Sequence, residues 1–574
     1  MSKDGSVDWC CFHRFDARPV FARLLDWTKG GHFRVAPVGD YRVTRAYEPN
    51  TNILRTTFET GSGVLSLIDC MPIKDDETDV HAHHQLLRLA KCEQGEVDVT
   101  VEFEPRFDFG MTAPHVKLLD NHLVEVTGGA DALVLQSEIS LNAKGLSECE
   151  GRAMLGAGEE MAMALTFILP HDLDPNPMDP DEIRRRVEST REFWQQWSGT
   201  CTYEGPYKEQ VIRSALVLKA LTDATTGAIV AAPTTSLPEL IGGERNWDYR
   251  FTWLRDAALN LYSLFQLGYS GEAKDFMEWL QRTTAGRVED LQPVYGVGGE
   301  RMLPEIEWSE LEGYRGSTPV RTGNLASEQF QLDIYGELMD TAWLYHRHGG
   351  KIDREFWEFL CGIVDQVAER WTEPDEGVWE VRDARHHFVS SKVLAWVAVD
   401  RGLRLAEEVG LPAGPGWESL RSEIRLTIET DGVDPATGAF IRAFGDSRAD
   451  ASNLLIPLVG FLPGDDPRVR ATVAAVEEEL TTNGLVDRYR GEDGLPGGEG
   501  AFVVCSFWLA GNLAMIGERT RAQELFEQLL EYANDVGLLS EQIDPLSRDF
   551  LGNFPQAFSH AALISAALHL SDSE

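Results

Sequence analysis

The hydrophobic period of this chain changes once, between about residues 170 and 206, and over 574 residues a run of strands followed by a run of helices reads as separate domains. Before the change, HFRVAPV, YRVTRAYE, NILRTTFET, GVLSLIDCMP, HHQLLRLAKC, VDVTVEFEP, HLVEVTGG, ALVLQSEI and MAMALTFIL are short β-branched runs separated by Gly, Pro, Asp and Asn. Many such strands at close spacing predict an antiparallel sandwich. DEIRRRVESTREFWQQWSG (Asp181–Gly199) places Ile183, Val187, Phe193 and Trp197 near helical spacing and reads as a connecting helix. From about Pro206 the period stays helical. Twelve candidate helices fall near 206–225, 254–267, 270–284, 325–348, 351–370, 388–409, 416–429, 449–461, 465–480, 499–516, 519–535 and 553–570.

Links after the even-numbered helices are mostly short (GYSG, HGG, LPGDDP, GERT), whereas those after the odd-numbered ones are longer and richer in Trp, Tyr, Glu and Arg. Helices running alternately up and down bring every odd-to-even loop out at one end. The expectation is a multidomain chain. An N-terminal antiparallel β-sandwich over 1–180 and a linker helix over 181–205 precede an all-α (α/α)6 toroid, a six-hairpin barrel, over 206–574. Rim loops on such a scaffold are where sites lie.

A formal charge of −41 over 574 residues argues against a nucleic-acid partner, which needs a basic patch, and against anionic membrane surfaces. The 52 basic residues divide into 11 Lys and 41 Arg. That balance suits a protein held soluble in high salt, where screening removes the cost of self-repulsion; the alternative reading is a merely acidic mesophilic enzyme. Eight cysteines at irregular spacing, with no C-x-x-C, point to free thiols in a reducing compartment. No run approaches a membrane span and MSKDGSVDWCC lacks a signal-peptide core, so the expected location is cytoplasmic.

NWDYRFTWLRDAALNLYSLF (Asn246–Phe265) crowds Asp248, Tyr249, Arg250, Trp253, Arg255 and Asp256 where a helix enters a core. Either the charges cap a structural helix, or the aromatics and ions together grip something polar. Other rim segments have the same character: GVWEVR, VDRYRGEDG and LLSEQIDP. Aromatic faces interleaved with carboxylates and arginines suit a sugar, whose CH face stacks while its hydroxyls meet ions. Two converging carboxyls, one protonated and one ionised, are the equipment for glycoside cleavage. Glu380 lies between Trp379 and Val381, which would desolvate it, while Glu541 lies beside Ser540, Gln542 and Asp544, a polar setting that favours ionisation.

NWDYRFTWLRDA, GVWEVR and LLSEQIDP…GNFPQAFSHAAL, in this order, resemble glycoside hydrolase family 15, which includes glucoamylases, glucodextranases and bacterial-type trehalases. DGSVDWCCFHRFDARPVFARLLD and GGHFRVAP resemble the β-rich N-terminal domain of its trehalase-like branch. The resemblance implies Glu380 as general acid and Glu541 as general base. It implies Tyr249 beside the developing oxocarbenium ion, and Arg255 and Asp256 on the hydroxyls of the non-reducing glucose with Trp253 beside them. Arg488 becomes a second substrate-holding arginine, and Trp379 lines the pocket. The family inverts, which implies carboxyls about 6.5–9.5 Å apart. Thr252 departs from the aromatic or cysteine often found there, and relatives usually have a further strand before DGSVDW.

The function expected is an exo-acting, inverting α-glucoside hydrolase that releases β-glucose, with trehalose favoured. The runner-up is a glucoamylase acting on maltooligosaccharides or other α-glucans. An inactive carbohydrate-binding or regulatory protein is the reading of another class; such a relic should have lost one of the two carboxyls, and both are present. The partner expected is an α-glucoside, and the chemistry requires no cofactor. HAHH (His81–His84) resembles a metal cluster but opens a strand-like run where alternate side chains diverge, so no metal site is assigned. His387 is left between substrate contact and packing, and Arg245, Asp248 and Arg250 are read as a supporting ion-pair network.

Overall fold

The computed structural model describes residues 1–76, 79–173, 177–284, 286–491 and 493–571, which form two compact units. The first comprises Met1–Thr200 and Ser309–Val320. Its sheet path runs Tyr41–Tyr47, Leu54–Thr60, Gly63–Cys70, Gln85–Glu104, Glu160–Ile168, Asp131–Ser137, Leu123–Gly128 and His115–Asp120. The runs expected as two strands, HHQLLRLAKC and VDVTVEFEP, are one strand, Gln85–Glu104. Its first part pairs with Gly63–Cys70 and Glu160–Ile168, and its last part pairs with His32–Pro37 and Cys149–Gly156. Gly95 makes the changeover possible. At φ 70° it lies so close to the neighbouring strand that a Cβ would fall 2.1 Å from the Ser62 carbonyl oxygen.

Val97, Val99, Val101 and Phe103 are buried while the residues between them are not, the alternation of a strand with one face on a core. They share that core with Phe33, Val35, Leu133, Leu135 and Leu165, which makes the unit an antiparallel sandwich. The helix expected as a linker is α1 (Pro180–Ser198), capped by Asp179 accepting from Asp181 N. It belongs to the sandwich unit: Ile183, Val187, Thr190 and Trp194 are buried, and Arg184 bridges to Glu138 and Glu160 at 2.8 Å. Ser309–Val320 belongs there too, tied by Trp27 N donating to Glu312 Oε1 at 2.9 Å.

The second unit comprises Cys201–Trp308 and Arg321–Glu574. Its helices are α2 (Lys208–Ala220), α3 (Leu254–Gln266), α4 (Gly271–Thr284), α5 (Asp333–Arg347), α6 (Arg354–Arg370), α7 (Val389–Val409), α8 (Trp417–Asp431), α9 (Leu455–Leu458), α10 (Pro467–Leu480), α11 (Val503–Met515), α12 (Arg519–Leu530) and α13 (Ala557–Ser571). α3 packs on α5, α5 on α7, α7 on α9, α9 on α11, α11 on α13, and α13 back on α3. Burial follows this circuit. α11 is buried continuously from Val503 to Ala514, whereas α12 buries only the stripe Ala522, Phe526 and Leu529.

The largest shortfalls against the sequence windows are at α5 and α9. α5 begins at Asp333 because Asn324 caps a separate 3₁₀ turn, Leu325–Glu328. α9 is one turn following another 3₁₀ turn, and Pro457 within it has no N–H to donate. No helix among the described residues is long and apolar enough to cross a membrane.

Candidate active site

The connections α2–α3, α6–α7, α10–α11 and α12–α13, with the first turns of α3 and α13, supply the polar side chains that line the site. In the first, Thr252–Trp253 pairs with Val294–Tyr295 before α3 begins at Leu254. Only Arg255 and Asp256 of the expected charged segment therefore lie in the first helical turn. Asp248 and Arg250 form a buried two-point pair at 2.7 and 2.8 Å, and Gly323 N donates to the same carboxylate. Arg245 pairs with Asp493 at 2.9 and 3.0 Å. These three residues act as the supporting network expected of them. Further round, Ala501–Phe502 pairs with Leu485–Val486 on one side and Gln542–Ile543 on the other, which stitches the segment of Arg488 to that of Glu541.

One cavity of about 510 Å³ is lined by Tyr249, Trp253, Arg255, Asp256, Trp379, Glu380, Arg488 and Glu541, together with Ala231, Val378, Phe502, Val504, Gln556, Phe558 and Ser559. All eight residues singled out in the sequence thus meet in one place. Trp379 is fixed by its indole N–H donating to Asp450 Oδ1 at 2.8 Å. The Arg488 guanidinium pairs with Glu499 and lies 4.3 Å from the Phe502 ring centre. Tyr249 and Trp253 meet edge to face at 5.4 Å.

Glu380 carries its side chain on a left-handed backbone, φ 59°. Its Oε1 accepts from Trp253 Nε1 at 2.7 Å, Arg255 Nη2 at 3.1 Å and Gln331 Nε2 at 3.2 Å. Among the described residues Oε2 takes no hydrogen bond. Arg255 spends its other terminal nitrogen on Gln331 Oε1 at 3.0 Å and Asp333 Oδ2 at 3.3 Å. Burial opposes the Arg255 charge, but Asp333, Glu380 and Asp256 hold it above its usual pKa. Burial pushes Asp256 up to about 7 even though Arg255 pulls the other way.

Glu541 is 4 % exposed and accepts from Asn553 N at 3.3 Å. Burial raises its carboxyl above the ordinary range, and the charge of nearby Glu239 raises it further, against a hydrogen bond from Tyr249. Glu239, itself 3 % exposed, is raised first by burial as well. The environments expected from sequence neighbours are therefore corrected. Val381 packs away from the site with Phe388 and Ala443, and an arginine, a tryptophan and a glutamine engage Glu380. The polar neighbours of Glu541 turn elsewhere: Ser540 Oγ donates to Gln542 O, and Gln542 Oε1 accepts from Gly500 N.

Glu239, Gln331, Asp333 and Asn553 were missed in the sequence. Gln331 and Asp333 lie in SEQFQLD, which runs into the start of α5. Glu239 stands two residues after Leu237 in the SLPEL run, and Asn553 stands in GNFP. His387 stacks on Phe444 at 5.9 Å and does not line the cavity. Of the HAHH motif, the side chain of His81 lies outside the described residues; His83 meets Arg186 at 3.3 Å and His84 meets His13 at 5.3 Å. Among the described residues no group of three or more His, Cys, Asp or Glu is placed to hold a metal ion.

Residues 205–568 match the family described as glycosyl hydrolases family 15, and residues 1–190 match the domain described as trehalase-like, N-terminal. A protein named trehalase from Mycolicibacterium smegmatis is 40% identical over 603 residues, spanning 100% of this chain and 89% of its own length. One of the same name from Thermoplasma volcanium is 35% identical, spanning 100% and 91%. A crystal structure of a bacterial glucoamylase complexed with acarbose superposes with a TM-score of 0.72 at 13% identity, covering 99% of this chain and 94% of that one.

Proposed function

The chain belongs to the glycosyl hydrolases of family 15 and is a glycoside hydrolase, and from that premise we propose that it cleaves trehalose with inversion. One observation carries the chemistry: Glu380 and Glu541, from connections α6–α7 and α12–α13, line a single sugar-sized cavity with Arg255, Asp256 and Arg488 around them. End-to-end likeness to proteins named trehalase, including the N-terminal domain, supports the substrate. The helix circuit described above supports an (α/α)6 toroid as the scaffold. Irregularly spaced cysteines, most of them buried, go with a cytoplasmic site of action.

In this reading the glycosidic oxygen takes its proton from Glu380. With Oε1 committed to three donors, Oε2 is the oxygen that carries that proton. As the bond from C1 to the leaving oxygen breaks, water attacks C1 from the other face and passes a proton to Glu541. Burial and the charge of Glu239 make the ionised Glu541 a stronger base than an exposed carboxylate. Tyr249, beside both carboxyls, presents its ring to the charge that develops at C1. Arg255 has a double part: it clasps the glucose hydroxyls with Asp256 and tethers Glu380.

The test is glucose release from trehalose, maltose, isomaltose and soluble starch, in low and in multimolar salt. Trehalose is expected to be hydrolysed fastest, with activity retained at high salt. Release from maltose or starch with none from trehalose would overturn the substrate, and no release from any α-glucoside would overturn the enzyme reading.

A further inference from the structure

A second chamber of about 410 Å³ adjoins the cavity and shares Tyr249, Trp379, Glu380 and Arg488 with it. Its remaining wall includes Glu239, Trp247, Asn324, Gln329 and Arg382. Glu380 thus lies on the wall that the two spaces share. Trp247 is held with unusual firmness for a rim residue. The guanidiniums of Arg382 and Arg321 lie 4.2 and 4.8 Å from its ring centre. Glu305 joins those two arginines, meeting Arg382 at 2.9 Å and Arg321 at 3.5 Å. The Trp247 carbonyl is pinned as well, accepting from Ser236 N at 2.8 Å and from Asn553 Nδ2 at 2.9 Å. A flat ring fixed in orientation at a chamber wall is what stacking on a pyranose requires.

The polar side chains around it divide into committed and available groups. Gln329 Nε2 donates to the Glu380 carbonyl at 3.2 Å, and Asn324 Nδ2 donates to the Asp248 carbonyl at 3.3 Å. Glu239 is different: its Oε2 is buried with no hydrogen-bond partner, and its nearest guanidinium, that of Arg245, is 3.9 Å away and already paired with Asp493. An unpaired buried carboxylate oxygen is costly unless something completes it.

We propose that Trp247 is a specificity-determining residue for the leaving sugar, which stacks on the part of the ring that Arg382 and Arg321 leave open while Glu239 binds one of the sugar's hydroxyls. The inference rests on the reading of the first cavity as the site of glycosidic cleavage, and it names what that reading leaves open, the side that selects a disaccharide. The glucose cleaved at C1 fills the first cavity. The departing glucose fills the second, and the oxygen between them faces Glu380.

The experiment compares trehalose with α-glucosyl fluoride, whose leaving group is too small to reach the second chamber. Trp247→Ala is expected to lower kcat/KM for trehalose about tenfold or more, mainly through KM, and to change hydrolysis of the fluoride less than about threefold. Trp247→Phe, which keeps a ring, should recover most of the trehalose activity. Arg382→Gln, at the rim, should show the same split as Trp247→Ala and keeps the comparison available if the alanine variant does not fold. Equal losses on both substrates in folded variants, or no loss on trehalose, would overturn the proposal. Failure of the wild-type protein on both substrates would instead overturn the reading of the first cavity.

Discussion

In the proposed reaction Glu380 and Glu541 do different work because their surroundings differ, and each surrounding is built by residues far away in the chain. The left-handed backbone at Glu380 is strained for a non-glycine residue. The grip of Trp253, Arg255 and Gln331 on one carboxyl oxygen holds the side chain in place and leaves the other oxygen for proton transfer. At Glu541 the space is made by Gly552, where a Cβ would fall 2.2 Å from Oε2. Glu380→Gln keeps the shape and removes the proton, so turnover of trehalose should fall by about 10²–10⁴. A nitrophenyl glucoside, whose leaving group needs no proton, should lose far less in steady-state assays. Equal losses on the two substrates would remove Glu380 as the donor. The two carboxyls were legible from their motifs, but their environments were not. Glu239 reaches Glu541, and Gln331 reaches Glu380, only through the fold, which no neighbour in sequence reports.

At the scale of elements, the loop that carries Glu541 is anchored by the start of α13. His560 lies in that helix, fully buried, with Nε2 accepting from Leu539 N at 3.2 Å and Nδ1 facing Ser214 Oγ at 3.0 Å. Ser559 Oγ donates to the Ser540 carbonyl at 2.7 Å. Burial first, and then the charge of Arg213, lower the His560 pKa from 6.5 to about 3. Below pH 6.5 the unfolded chain binds a proton that the native imidazole refuses, so this contribution to stability is present above 6.5 and lost as pH falls. The loss is about 1.4 kcal/mol per pH unit. His560→Gln should be less stable than wild type at pH 7, and the gap should narrow steadily towards pH 4 in urea unfolding. A gap independent of pH would show that His560 does not bear this proton linkage. Long helices were readable because their period repeats over many residues. Cys149–Gly156 and His115–Asp120 were not, since each presents few apolar residues to one face and the alternation is too weak to stand out.

For the whole molecule, the change of period located the sandwich and the helical unit, and the alternation of long and short links located the site. What periodicity could not carry was the path of strand Gln85–Glu104 through both layers, or the place of Ser309–Val320 with the sandwich, because pairing and docking depend on distant partners. In the proposed reaction water reaches C1 from the face opposite the leaving oxygen. Trehalose tests it directly, since both of its anomeric carbons are α and only one is attacked. Proton NMR in the first moments of hydrolysis, before mutarotation, should show α- and β-glucose in equal amounts, the α from the departing sugar and the β from the attacked one. Initial release of α-glucose alone would mean retention and would contradict the assignment of Glu541 as the base.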